Sequence, residues 1–462
     1  MSLTDRRLRT APGPRRSVEH RRRTFDVVEV AEDGTPRTGF DAVSALTVYL
    51  ALLLLIPSDR VLPGLGNLGA PAVMWGFACF LWWIWHVLSR PREERLLLSP
   101  VSVAAWIFIG TMLLSYVFAM MRPIPVAEVL PADRALLRML SFLGVVLVAS
   151  TGIRSFARLQ TLLRRLVLLT AVVATIGIVE FFLRRPLAPM IPTPGLVSGG
   201  GGGEDMRGDF LRSTATAIHP LEYATALSIA FPVALMLALR TSNRTRVIML
   251  SCAGLIGVSL VLAGSRSAIV GLLVGAIPLL LVLGARERVA AAIGGIAAIA
   301  LVYVAVPGMI GTLRNLFLTA GSDTSVLSRT ASLQLVDVLL PLSPWVGRGH
   351  GTFLPAYQIF DNQIILLLIE VGIVGTLAFV AVYVAAIVCV ARCRTAPPAI
   401  SGIAAALAAG CLVAVSLSIF FDSFSFPKAF GLLALAPGLC AGAWRVSQNL
   451  PLQFATSADA HA

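Results

Sequence analysis

The stretch VIMLSCAGLIGVSLVLAGSRSAIVGLLVGAIPLLLVLG, residues 247–284, decides how this chain is built. As a single helix it would be about 57 Å long at 1.5 Å per residue, nearly twice a hydrocarbon core of about 30 Å. It therefore reads as two apolar runs, 247–264 and 268–284, folded into a hairpin with Arg266 at the tip between Ser265 and Ser267. The other ends of the hairpin carry Arg240, Arg244 and Arg246 on one side and Arg286 and Arg288 on the other. Short basic connections mark the cytoplasmic face. Arg266 then sits on the opposite face, where the orientation rule gives it no purpose. An ionisable residue in such a place is a site hypothesis, and a cationic tip suits an anionic ligand.

The same pattern runs outward from this hairpin in both directions. The chain of 462 residues is 57% hydrophobic and 13% charged, against about 25% charged for a soluble domain. Apolar windows fall near 41–57, 69–89, 101–121, 139–153, 166–183, 222–239, 247–264, 267–284, 289–306, 362–391, 398–420 and 429–445, about twelve spans. With the N-terminus inside, five successive cytoplasmic connections carry Arg90, Arg92 and Arg95; Arg154, Arg158, Arg164 and Arg165; Arg240, Arg244 and Arg246; Arg286 and Arg288; and Arg392 and Arg394. Shifting the count by one span would put all five outside. The fold class read from this is an all-α polytopic membrane helix bundle with both termini cytoplasmic. Residues 1–40 read as a disordered basic tail, 41–306 as spans one to nine, 307–360 as a long extracytoplasmic loop, 361–446 as spans ten to twelve and 447–462 as a short cytoplasmic tail.

The net charge of +13 lies largely in the N-terminal tail and the inner connections, so it encodes orientation and calls for no nucleic acid. No cleavable signal is read at the N-terminus: the basic stretch 6–23 is too long, and no short apolar segment follows it. The six cysteines lie in apolar spans or, for Cys393, in a basic inner connection, which excludes a disulfide framework as the organising principle.

Two outer connections are long. The first, 184–221, contains the glycine run 199–203, which lacks the following lysine and preceding strand of a phosphate-cradling loop and reads as a flexible linker. Arg207, Arg212 and His219-Pro220 follow it. The second, 307–360, holds apolar residues at Leu333, Val336 and Leu340, the spacing of an amphipathic helix lying at the interface. Pro341 ends that pattern, and Gly347-Arg348-Gly349-His350-Gly351 leads back to the membrane at Asp361-Asn362. On this count Arg207, Arg212, His219, Arg266, Arg329, Arg348, His350 and Asp361 all share one face. Each also has a plain structural reading. Arg266 could snorkel to lipid phosphates, Arg329 could anchor the interfacial helix, His350 could be a solvated loop residue, and Asp361 could N-cap the next span. The spans themselves carry little charge, with Glu180, Glu370 and Asp422 near their ends. An ion-coupled transporter concentrates ionisable groups and broken helices at the midplane. Polar chemistry gathered at the outer rim favours an enzyme acting on a lipid with an anionic headgroup.

The segment Asp361-Asn362, nine residues, then Gly372-Ile373-Val374-Gly375 resembles the signature of the O-antigen ligase and polymerase superfamily, in which His-Asn or His-Ser precedes Gly-x-x-Gly by nine residues. Pro341-Leu342 and the glycine-rich approach to Phe353 are similar to the family's lead-in, Gly264-Ser265-Arg266-Ser267 to its Ser-Arg hairpin tip, and Arg212 with His219-Pro220 to its upstream arginine and His-Pro segment. The resemblance implies a membrane glycosyltransferase of bacterial cell-envelope polysaccharide assembly. It would move a saccharide from a polyprenyl-diphosphate donor to an acceptor hydroxyl at the outer face of the cytoplasmic membrane. Ligase and polymerase remain alternatives within the superfamily, and a transporter or flippase of lipid-linked glycan, or a non-catalytic scaffold, outside it. The resemblance also implies Arg212, Arg266 and Arg329 on the diphosphate, with Arg207, His219, Arg348 and Asn362 as secondary contacts. No metal or cofactor is required, and the partners are the donor, a glycan or glycolipid acceptor and membrane lipids. The sequence departs from the pattern where the family has histidine: Asp361 stands there. A carboxylate can serve as general base, and His350, eleven residues upstream, is the other candidate.

Overall fold

The computed structural model describes residues 40–89, 98–200, 206–207, 210–306 and 333–459. Among them twelve long helices fall on the twelve apolar windows: α1 Ala42–Leu55, α2 Pro71–Leu88, α3 Pro100–Met120, α4 Val126–Gly152, α5 Phe156–Leu183, α6 Pro220–Arg240, α7 Asn243–Leu262, α8 Arg266–Val282, α9 Ala285–Ala305, α10 Gln363–Ala391, α11 Pro398–Leu417 and α12 Pro427–Asp459. The only strands among the described residues are two-residue pairs, Arg60–Val61 with Val197–Ser198 and Met206–Arg207 with Phe210–Leu211. The chain is an all-α polytopic membrane bundle. Among the described residues ten helices are long and apolar enough to cross a membrane; α1, with 14 residues, and α8, with 17, are shorter. The basic tail before residue 40, the arginines at 90, 92 and 95, Arg329 and the first part of the long loop, 307–332, lie outside the described residues, as do residues 201–205 of the glycine run.

Local signals set the helix starts. Asp41 caps α1 by accepting from the Ser44 amide at 2.9 Å, Ser99 precedes Pro100 at α3, and Ser155 caps α5. Each supplies an oxygen to an amide that has no intrahelical partner. Helix α4 starts 13 residues before its apolar window, because its first half is amphipathic and turns Glu128 and Arg138 inward. Averaged hydropathy hides such a segment. Where the sequence suggests a hairpin, α7 and α8 part from a tight turn at Gly264 (φ +55°): α7 packs on α5, α6 and α9, and α8 packs on α11 and α6. On α8, Gly271 and Gly275 let the helix approach Leu417 and Val413 of α11.

The feature that organises one end of the bundle is a break in α10. Gly372 has φ 67° and ψ −169°, a conformation reserved for glycine. In an unbroken helix the amides of Ile373 and Val374 would donate to the carbonyls of Ile369 and Glu370. Instead they donate to Pro344 at 2.8 Å and Trp345 at 3.2 Å. The two orphaned carbonyls accept from Arg348 at 2.9 Å and Gly349 at 2.7 Å. The loop thus supplies new partners to these four groups. Such close backbone approach excludes side chains: a Cβ on Gly347 would lie 2.3 Å from the Glu370 carbonyl, and one on Gly372 would lie 2.4 Å from that of Trp345. Gly349 and Gly351, both at positive φ, press on Ala119 of α3 and Ala135 of α4.

Gly372→Ala is expected to lose about 1–3 kcal/mol from backbone conformation alone, with the clash at Trp345 added. Thermal unfolding in detergent should show a midpoint several degrees below wild type. An unchanged midpoint would mean that the break does not hold the loop.

Candidate functional site

The end of the bundle that carries the break also carries most of its buried charge. Glu128, Arg138, Glu180, Glu222, Glu370 and Lys428 are each at least nine-tenths buried, and His350 joins them. Charges taken from water stay charged only when partners replace the lost solvation, and the partners define how the loops are held.

The long loop is seated on α4. Arg348 forms an ion pair with Glu128, and its guanidinium lies over Tyr357 at 5.3 Å and Phe353 at 5.8 Å. The Tyr357 hydroxyl donates to the same Glu128 oxygen at 2.8 Å, and Arg122 donates to the Arg348 carbonyl at 2.7 Å. Two residues on, His350 Nδ1 meets Glu370 Oε2 at 2.9 Å, with the ring edge against Phe424. The other Glu370 oxygen accepts from the Phe353 amide at 3.3 Å. At the start of α10 the N-cap is Asn362, whose Oδ1 accepts from Ile364 and Ile365 at 2.9 and 3.1 Å. The capping reading of Asp361 therefore passes to its neighbour, and Asp361 stands half-buried just before the helix.

The connection between α5 and α6 is clamped by Glu180. Its carboxylate accepts from Leu187 at 2.7 Å, Thr214 at 3.0 Å and Ala215 at 2.7 Å, while Ser213 donates to the Gly177 carbonyl at 2.7 Å. These bonds hold Arg212, half-buried, on the last turns of α5. On those same turns Phe181 packs against Leu262, four residues before Arg266. Arg266 is the first residue of α8, capped by Ser265, and is half-buried. The His219 Nδ1 caps α6 by accepting from Leu221 at 3.1 Å, and its ring lies against Phe426. Arg207 lies in the short strand pair; Arg329 lies outside the described residues.

Several groups are absent from the residues singled out by sequence. The turn 418–426 between α11 and α12 joins the two halves: Phe426 touches His219, Phe424 touches His350, and the Phe424 amide donates to Gln363 at 2.7 Å. Asp422 on this turn keeps some exposed surface, yet its Oδ1 is enclosed and has no hydrogen-bond partner among the described residues. Burial pushes its carboxyl up to about 6; Glu370 reinforces the shift, and Arg138 and Ser425 oppose it. Arg138 lies with its guanidinium 4.0 Å from the Phe430 ring. Lys428, the sole lysine, donates to Ile56 at 3.2 Å, to Ser58 at 2.7 Å and to Thr216, while Glu222 accepts from Ser58 at 3.0 Å and from the Lys428 amide at 2.6 Å. The signal for all of these is an ionisable residue inside or beside an apolar span.

The arrangement is that of a helix bundle whose long loop is held by an arginine–glutamate pair, Arg348–Glu128, and a buried histidine–carboxylate pair, His350–Glu370. Residues 251–380 match the family described as O-antigen ligase. The matched segment takes in Arg266, Arg348, His350, Asp361 and the Gly372–Gly375 motif, and leaves Arg207, Arg212 and His219 before it. No protein of curated function matches the chain.

An acid whose folded-state pKa lies above its unfolded value binds more protons when folded, so stability falls as pH rises through that interval. For Asp422 the interval runs from the ordinary 3.8 to about 6. Asp422→Asn should therefore raise the melting temperature relative to wild type at about pH 7.5, by an advantage that shrinks towards about pH 4. Melting curves of both proteins at the two pH values check this.

Proposed function

We propose that the chain transfers a saccharide from a polyprenyl-diphosphate donor to an acceptor hydroxyl at the outer face of a bacterial cytoplasmic membrane, as a ligase of cell-envelope polysaccharide assembly. The observation that carries the reading is that the O-antigen ligase segment contains both a half-buried arginine at a helix tip, Arg266, and a buried histidine–carboxylate pair, His350–Glu370.

In this reading the acceptor oxygen attacks the anomeric carbon of the donor sugar. Its proton passes to Asp361 or His350. The bond from the anomeric carbon to the diphosphate oxygen breaks, and the electron pair leaves on that oxygen. Arg212, Arg266 and Arg329 balance the growing negative charge. Arginine suits this role because its charge is permanent and its planar fork meets phosphate oxygens two at a time. The electrostatic contribution is the larger one, since a departing diphosphate needs charge stabilisation more than a proton. Arg348 is already engaged by Glu128, so its part is to fix the loop. Residues 307–360 form the extracytoplasmic loop in this account, and both termini lie in the cytoplasm. The charge on the leaving group is carried by arginine, without a metal.

The same chemistry serves a polymerase, in which the acceptor is itself a lipid-linked glycan. A flippase would use the arginines to recognise the diphosphate without cleaving it. Incubating purified protein with a polyprenyl-diphosphate-linked glycan and acceptor separates these: the proposal expects released polyprenyl diphosphate, and translocation of intact donor without release overturns it. Arg266→Ala should reduce transfer by about 100-fold or more while membrane insertion stays normal. Asp361→Asn and His350→Ala, compared for turnover, identify the base. Full activity in both would remove both from the mechanism.

A further inference from the structure

Two acceptors for the hydroxyl proton stand within eleven residues of each other, and their surroundings differ. Asp361 lies half-buried before the α10 N-cap and makes no hydrogen bond among the described residues. His350 is held through its backbone, its ring and Nδ1. The glycines before and after it adopt positive φ and pack against α3 and α4, so the backbone carrying the ring cannot drift. The ring edge meets Phe424, which packs in turn on Phe379 and Phe430. Nδ1 meets Glu370 Oε2 at 2.9 Å.

Glu370 is itself fixed by the break in α10. Its carbonyl accepts from Gly349 at 2.7 Å and from the Ser115 hydroxyl at 2.8 Å, and its second carboxylate oxygen accepts from Phe353 at 3.3 Å. An ionised carboxylate only accepts, which assigns the ring proton to Nδ1 and leaves the lone pair on Nε2. Nε2 has no hydrogen-bond partner among the described residues. A buried carboxylate facing a neutral imidazole is a poor way to gain stability, because desolvation is costly and no opposite charge offsets it.

We propose that Glu370 is a positioning residue for His350, holding the imidazole with its proton on Nδ1 so that Nε2 takes the proton of the acceptor hydroxyl. This rests on the glycosyl-transfer reading. The acceptor oxygen forms its bond to the anomeric carbon, the bond to the diphosphate oxygen breaks with its electron pair leaving on the diphosphate, and the acceptor proton moves to Nε2. Glu370 then faces an imidazolium, whose charge it balances without taking a proton. In this scheme the base has moved from the position that Asp361 occupies to the loop eleven residues upstream. A helix break places a carboxylate behind it.

The test uses the full chain in membranes, a fluorescently tagged polyprenyl-diphosphate disaccharide as donor and the host's membrane glycolipid fraction as acceptor. Release of polyprenyl diphosphate is followed. Glu370→Gln should lower kcat about 100-fold with donor KM within about threefold of wild type, the loss expected when base catalysis fails and binding remains. His350→Ala should lose at least as much. The double variant should be no slower than His350→Ala alone, because the two residues act as a unit. Added formate should restore part of the turnover of Glu370→Ala, which a strut lost from the fold would not allow. Should Glu370→Gln fail to reach the membrane, Glu370→Asp supplies the comparison: a folded protein with kcat between wild type and Glu370→Ala. Losses that multiply in the double variant, or wild-type kcat in Glu370→Gln, overturn the positioning role and leave glycosyl transfer standing. A wild-type protein that moves donor without releasing polyprenyl diphosphate overturns both.

Discussion

The main-chain exchange across Gly372 is the constraint on which this end of the molecule depends. A helix broken inside a bundle leaves amides and carbonyls that lipid and packed side chains cannot satisfy. Here the loop 343–349 satisfies four of them, and in doing so it is fixed to within a hydrogen bond of α10. Everything that follows on the loop inherits that precision. Arg348 reaches Glu128, His350 reaches Glu370, and Phe353 presents its amide to the same carboxylate. Glycines at 347, 349, 351 and 372 are the condition for it, since a side chain at any of them would push the loop off its seat.

Charge is distributed with the same economy. The acidic groups at this end are spent on backbone amides and on cations that tie loops to helices: Glu180 on the connection before α6, Glu222 and Lys428 on the meeting of α1, α6 and α12, Glu128 on Arg348. At the other end, Asp41 pairs with Arg158 and Glu287 with Arg240, and both pairs are partly solvated. Pairs that keep solvent contribute little to stability, whereas separating a buried pair costs several kcal/mol. The bundle is therefore held electrostatically at the end with the candidate site and mainly by apolar packing elsewhere.

Much of this was legible in the sequence and some of it could not be. Apolar windows located the helices, because span length and composition are set by the bilayer. The glycine-rich segment 347–351 and the nine-residue spacing before Gly372 stood out, and both fall in one family segment. What the spacing could not convey was that the two motifs bond to each other, since a main-chain exchange leaves no trace in side-chain identity. Helix α4 was legible only in its apolar half; Glu128 and Arg138 depress the average hydropathy in the very stretch where they turn inward. His350 stood out as a loop histidine, but its partner Glu370 looked like one charge near the start of a span. The turn 418–426 carried no motif, and its importance comes wholly from where α11 and α12 end.

Lys428 has a practical consequence. It is the only primary amine on any side chain of this protein, and its ammonium is enclosed by the oxygens of Ile56, Ser58 and Thr216. Acylating reagents that decorate most proteins at many surface lysines have a single side-chain target here, and that target is closed. Its rate of modification reads out how often the joint between the ends of α1, α6 and α12 opens, a local breathing signal that needs no engineered label.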